Sequence, residues 1–240
     1  LHTLFPYTTL FDLLDEGIDR KVLAQLRARF MALNEGRMAR AIEGLTPRQQ
    51  SVLTLLPLFF HVNHPLLPGY VSGSTPAGLS NFEPDAQALS EAQRLTRSFS
   101  YKPRHGKPPQ PIHGLFLMGS LGTLAQADQS DMDVWVCHAP DLGENELVEL
   151  RKKCQLLEAW ALSMGAEAHF FLIEPSRFVL GERDTQLSSD DCGTTQHYLL
   201  LDEFYRTAIW LAGRTPIWWL VPVYEERSEE HTSELQSPVL

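Results

Sequence analysis

Two short stretches of this 240-residue chain carry side chains that could do chemistry together. The first is Leu117-Met118-Gly119-Ser120, an apolar run that ends in a glycine and a hydroxyl. Glycine lets the backbone pass close to a bound phosphate. The Ser120 hydroxyl and neighbouring N–H groups can donate to phosphate oxygens. Gly122 and Thr123 extend the same small turn. After a gap of ten residues comes Asp131-Met132-Asp133-Val134. On a strand, residues two apart share a face, so Asp131 and Asp133 project together. Carboxylates that close repel one another unless a cation lies between them. They are natural ligands of Mg²⁺, which also binds through substrate phosphates. The neighbours Val134, Trp135 and Val136 are apolar. An unpaired acid pair in such a strand is costly and favours function over a solvated strand edge.

Other polar groups carry less. His61 and His64 are three apart, but no third ligand is nearby, so a metal reading is disfavoured. Asp190 and Asp191, near Gly193, Gln196 and His197, read equally as a helix cap or as a nucleotide or pyrophosphate contact. Lys102, Arg104 and Lys107 lie in a proline-rich connector, Tyr101 to Pro111, and read as solvated charge before phosphate ligands. Cys137, Cys154 and Cys192 are too widely spaced for a disulfide framework or a zinc signature, and point weakly to a reducing cytoplasm.

The elements that must position these groups follow from pattern. Leu13 to Leu45 is helical, with Val22, Leu23, Leu26, Phe30 and Leu33 as its apolar stripe and a basic, solvated face. Thr46-Pro47-Arg48-Gln49 is a capping box with proline at the first helical position. The run after it, SVLTLLPLFFHV, is apolar nearly all round and must be buried. Asn63 to Phe82 is a loop, and Pro84 to Phe99 a third helical stretch. Strands are expected at Ile112 to Met118, Asp131 to Cys137 and Ala166 to Ile173. Glu144 to Met164 is an amphipathic helix with Leu147, Leu150, Cys154, Leu157 and Trp160/Ala161 inward. Gln196 to Gly213 is expected to be a helix ending at its glycine. Thr215 to Tyr224 is a further strand or part of a core. Trp135 is expected to point away from the acids, into the core. The class is α+β: a small mixed sheet with flanking helices, preceded by a helical N-terminal part.

The ends read differently. Thr3 to Phe11 (TLFPYTTLF) and Arg227 to Ser237 (RSEEHTSELQS) are translations of common sequencing-library adapter strings. Residues 1–11 and 227–240 are therefore expected to be adapter artefact, residues 12–100 the helical part, and 101–226 a truncated core. The net charge of -10 disfavours non-specific nucleic-acid binding. No stretch of eighteen apolar residues offers a membrane span.

The pattern of an apolar run with Gly-Ser, then Asp-x-Asp about ten residues later, resembles the nucleotidyltransferase fold typified by DNA polymerase beta. That fold implies a third carboxylate on a neighbouring strand. Glu167, between Ala166 and Ala168, is preferred over Glu174. His169 shares the face of Glu167, and a packed or solvent-facing ring is favoured over a nucleotide contact.

The resemblance extends further. GSLGTLAQADQSDMDVWVCH, LLPLFFHVNHPLLPGYV, FFLIEPSRF and DCGTTQHYLLLDEFYRTAIWLAG are similar to the N-terminal catalytic region of class I, enterobacterial-type adenylate cyclases. The similarity covers nearly all of 12–226. It implies conversion of ATP to cyclic AMP and pyrophosphate in the cytoplasm, with Mg²⁺ (Mn²⁺ as a substitute). It maps the family's turn onto Gly119 and Ser120, and its acidic motif onto Ser130, Asp131, Asp133 and Trp135. Asp131 and Asp133 would hold metal, and Glu167 would hold a second ion or take the 3′-hydroxyl proton. Leu121-Gly122-Thr123 departs from the small hydroxyl residues that relatives often carry there. A sugar phosphotransferase component is implied as regulator of the longer protein. The chain itself is expected to be weakly active or inactive as a fragment. Two rivals stand beside this reading: a nucleotidyltransferase moving AMP to a small-molecule or protein acceptor, and a non-catalytic nucleotide-binding module.

Overall fold

The structure is a computed structural model that describes residues 20–103, 109–123, 125–126, 130–179, 200, 203–204 and 206–216. Helix α1 (Arg20–Glu43) leads into α2 (Pro47–His61). The capping box forms as the sequence dictates: the Thr46 side chain accepts from Gln49 N, and Gln49 Oε1 accepts from Thr46 N at 2.9 Å. Val52, Leu53 and every residue from Leu55 to Phe60 are buried, in keeping with an all-round apolar helix. A loop of short turns leads to α3 (Ala86–Leu95), whose Asp85 cap accepts from Ala88 N at 2.7 Å. His61 and His64 serve locally there, their Nδ1 atoms accepting from Leu79 N and Leu66 N.

Four strands form one sheet in the order β3-β2-β1-β4. They are β1 (Ile112–Met118), β2 (Met132–His138), β3 (Ala168–Ile173) and β4 (Ile209–Gly213). β1 runs antiparallel to β2 and β4, and β2 parallel to β3. The β2–β3 crossover is α4 (Glu144–Ser163), and α5 (Pro175–Val179) follows β3. Strand alternation splits the core in two. Leu115, Leu117, Val134, Val136, Phe170 and Leu172 face the larger half, covered by α2 and by Leu150, Cys154, Leu157 and Ala161 of α4. Phe116, Met118, Trp135, Cys137 and Ile173 face the smaller half, covered by Phe178 and Phe204. Among the described residues no helix is long and apolar enough to cross a membrane.

Two expectations are overturned, and a third holds in part. The helix expected over 196–213 is not continuous: Glu203, Phe204, Arg206 and Thr207 are helical, but Ile209–Gly213 is a strand. Its ladder with β1 pairs Ile209 with Leu117 and Trp210 with Phe116, and long-range pairing overrides local helix propensity. Gly213 is not a helix cap. At φ 104 an added Cβ would meet His113 O at 2.4 Å, so glycine is needed where the strands close on one another.

Of the stripe expected along α1, Leu23 is buried, Val22, Leu26 and Phe30 are half-buried, and Leu33 is 51% exposed. The helix also seals the outer edge of β4 with polar groups. Buried Asn34 accepts from Trp210 N at 2.8 Å and donates to Trp210 O at 2.9 Å. Arg37 donates to the carbonyls of Ala208 and Arg206. An edge strand's unpaired backbone is thereby covered. Lastly, Trp135 lies on the same face as Asp133, because residues two apart on a strand share a face. It is buried as expected, stacked on Phe204 at 5.4 Å between ring centroids. Of 215–224, Thr215 and Pro216 lie outside the strand, and the remainder lies outside the described residues.

Candidate active site

The groups singled out in the sequence collect at one end of the sheet. β1 ends at Met118, opposite Asp133 of β2. The chain then turns at Gly119 with φ 85, a conformation that favours glycine. A Cβ there would stand 3.5 Å from Asp133 Oδ2, so the turn lies directly against that carboxylate. Ser120 Oγ and Ser130 Oγ are 2.8 Å apart and tie the start of the turn to the residue before Asp131. Thr123 is held inside the turn, its N and Oγ1 donating to Ser120 O.

The turn is braced from below by α1, which sequence reading did not anticipate. Arg40 Nε donates to Gly122 O at 3.0 Å. Gly122 N donates to Gln126 Oε1 at 2.7 Å, and Gln126 Nε2 donates to Ala41 O at 3.1 Å. The two contacts with α1 join residues more than eighty apart in the chain, so no local signal points to them.

Asp131 stands just before β2 and is exposed, while Asp133 is half-buried within the strand. Burial raises the Asp133 carboxyl above its ordinary pKa. The Asp131 charge adds to this, His169 opposes it, and Glu203 adds a further upward push. Glu203 was not singled out in the sequence, because the fold alone brings its charge to bear on Asp133.

Glu167 and His169 arrive from β3. Glu167 stands before the strand rather than inside it, and its carbonyl accepts from Met132 N at 2.9 Å. His169 is paired in register with Asp133. Its Nε2 lies 3.5 Å from Glu167 Oε1, with the ring 46% exposed. Ligand atoms of Asp131, Glu167 and His169 lie within 4.8 Å of one another. Glu174 stands at the other end of β3, where it accepts from Ser176 Oγ at 2.6 Å and lies near Arg177. Asp190, Asp191, Gln196 and His197 fall outside the described residues, as do Arg104 and Lys107.

The donor set suits a divalent cation: carboxylates from two adjacent strand ends and one imidazole, all accessible, beside the strands whose neighbour β1 ends in the Gly119 turn. His169 also borders a cavity of 240 Å³ lined by Arg151, Gln155, Glu158 and Phe171, between α4 and the outer edge of β3.

Residues 22–219 match the family model of the adenylate cyclase N-terminal domain. The chain belongs to that family. The adenylate cyclase of Escherichia coli is 44% identical over 207 residues, which cover 84% of this chain and 24% of that protein. That of Salmonella typhimurium is 43% identical over 204 residues, with the same coverage. That of Yersinia intermedia is 43% identical over 213 residues, covering 85% of this chain and 24% of its own length. The chain thus spans about a quarter of the length of these relatives. No solved structure matches it. The matched span of this adenylate cyclase N-terminal domain contains every described residue of the carboxylate cluster and the glycine turn.

Proposed function

We propose that this chain is the nucleotide-binding and cyclising region of a cytoplasmic adenylate cyclase, converting ATP to 3′,5′-cyclic AMP and pyrophosphate. The observation that carries the reading is the contact of the Gly119 turn with the Asp133 carboxylate, beside Asp131 and Glu167. A phosphate-admitting backbone and a cation-binding acid pair at one point are what phosphoryl transfer on a nucleotide requires.

In this reading the Gly119-Ser120 turn receives the triphosphate, and the Ser120–Ser130 hydroxyl pair hydrogen-bonds its terminal oxygens. The ribose 3′-oxygen attacks the α-phosphorus, a new P–O bond forms, and the bond to the bridging oxygen breaks as pyrophosphate leaves. Glu167, exposed at the strand start, accepts the 3′-hydroxyl proton. Asp131 and Asp133 would hold Mg²⁺, which supplies charge neutralisation on the phosphates and acidifies the attacking hydroxyl. Most of the rate then comes from positioning and electrostatics. α1 contributes by fixing Gly122 through Arg40 and Gln126.

The test uses ATP and Mg²⁺ with no acceptor present. Two proteins are compared: the 240-residue chain, and a chimera in which it replaces the matching quarter of the Escherichia coli relative. The expected product is cyclic AMP from the chimera, little or none from the chain alone, and none once Asp131→Asn and Asp133→Asn are combined. An adenylylated acceptor in extract, with no cyclic AMP, would replace this reading by AMP transfer.

A further inference from the structure

We propose that the outer edge of β3, with the face of α4 above it, is a two-fold interface at which a second copy of this chain pairs its own β3 antiparallel and extends the sheet. The inference stands apart from the reading of the carboxylate end, since it needs neither cation nor nucleotide.

Among the described residues β3 is the outermost strand on its side of the sheet. Its backbone phase is fixed at two points. Glu167 O accepts from Met132 N of β2, so the odd-numbered residues turn their backbone groups inward. Phe170 N donates instead to Glu158 Oε1 at 3.2 Å, so the even-numbered residues turn theirs outward. The outward set is Ala168, Phe170 and Leu172, whose side chains are buried in the larger half of the core. What the edge offers a partner is therefore backbone, the usual template for an added strand. A cavity of 240 Å³ lies along it, bounded by Arg151, Gln155 and Glu158 of α4 and by Phe170 to Leu172.

The occupant follows from the order of side chains on α4. Val148, Arg151, Gln155, Glu158 and Leu162 share one face by helical spacing. Val148 is 40% exposed and Leu162 68%, with Gln155 exposed between them. In either direction the line runs apolar, charged, amide, opposite charge, apolar. An isologous interface requires that one residue meet a second and the second meet the first. With Gln155 set against Gln155 of a second copy, Arg151 meets the second copy's Glu158, and Val148 meets its Leu162. The same axis sets Phe170 opposite Phe170 and Ala168 opposite Leu172, so each outward N–H finds a carbonyl. Glu158 then leaves Phe170 N for the second copy's Arg151, and the released N–H is taken by the added strand. A strand from an unrelated protein would need only the backbone edge, and would leave the reciprocity along α4 without a cause.

The test is sedimentation velocity of the 240-residue chain over a rising series of concentrations, with hydrogen exchange on the same samples. The expected result is a concentration-dependent shift to twice the mass of one chain. Exchange should slow at Ala168, Phe170 and Leu172 as the dimer forms, and stay unchanged at Phe116 in the sheet interior. Arg151→Glu sets two acids against each other at both symmetric contacts and should weaken dimerisation at least about tenfold, as should Glu158→Arg. Combining the two substitutions restores opposite charges across the axis, and with them the dimer. A chain of single mass at every concentration overturns the proposal. So does a dimer that both reversals leave intact, and so does a combined variant that is folded yet stays monomeric.

Discussion

Each face of the sheet encloses a charge-bearing side chain whose charge burial opposes, Lys153 on one and Asp133 on the other, and the two faces treat it differently. On the larger face Lys153 of α4 is 1% exposed, with Nζ donating to Gly69 O at 3.4 Å and lying 5.9 Å from the Phe60 ring centroid. Burial pushes its pKa down to about 8. On the smaller face Asp133 is half-buried, and burial together with Asp131 pushes its carboxyl up. Lys153 is closed in and ties the loop at Gly69 to the helix. Asp133 opens onto exposed Asp131 and the glycine turn. An enclosed charge with one weak partner serves packing. One that opens onto other ionisable groups and a backbone turn can serve chemistry.

The comparison can be broken from the packing side first. Phe60 is fully buried, lies 5.8 Å from Phe170 between ring centroids, and belongs to the larger half of the core. Phe60→Ala should cost about 3–5 kcal/mol in urea unfolding, the range for a large aromatic removed from a core. In the folded fraction Mg²⁺-dependent ATP binding should be retained. Loss of binding in protein that is still folded would show that the faces are not independent.

Asn34→Ala should cost about 1–3 kcal/mol, because it strips the Trp210 N–H and C=O of their partner at the sheet edge. Hydrogen exchange should rise at Trp210 before it rises at Phe116. Equal increases at both would place the sheet's weak point elsewhere.

Lys153→Met should be neutral to stabilising at pH 7, since it removes a buried charge and keeps the apolar stem. The sign of the pH effect is fixed by the lowered pKa. Relative to an unfolded lysine near 10.5, the folded chain gives up its proton at about 8. Folding is thus disfavoured by this group below about pH 8, and the penalty is relieved as pH rises from there to about 10.5. Melting curves of the chain and of Lys153→Met across that window should converge. Parallel curves would mean that Lys153 is solvated.

Much of this was legible from local pattern. β1 matched its apolar run, β2 and β3 fell within two residues of expectation, and the α2 capping box formed as written. These features are decided within a few residues of chain. What escaped was decided by distant partners. Trp210 is a strand residue because β1 offers it a ladder, although its own neighbours Leu211 and Ala212 suit a helix. α1 buries Asn34 and engages Arg37 and Arg40 because it meets backbone at the β4 edge and the glycine turn, which no apolar periodicity records. That Asp131 and Asp133 share a face was legible because strand alternation is a local rule, whereas Glu167 was reached only through the fold resemblance. The influence of Glu203 on Asp133 was not, since seventy residues of chain separate them.

The most direct test of the account is Asp133→Asn, measured twice on the 240-residue chain. A carboxyl whose folded pKa is raised costs the fold stability above its unfolded value, and the cost is absent at lower pH. The account therefore predicts a small rise in Tm at pH 7 that vanishes below about pH 4, together with loss of Mg²⁺-dependent ATP binding in calorimetry. A lower Tm, or undiminished Mg²⁺-dependent binding, would contradict it, because Asp133 would then be a structural group rather than the charge this fold keeps for the nucleotide.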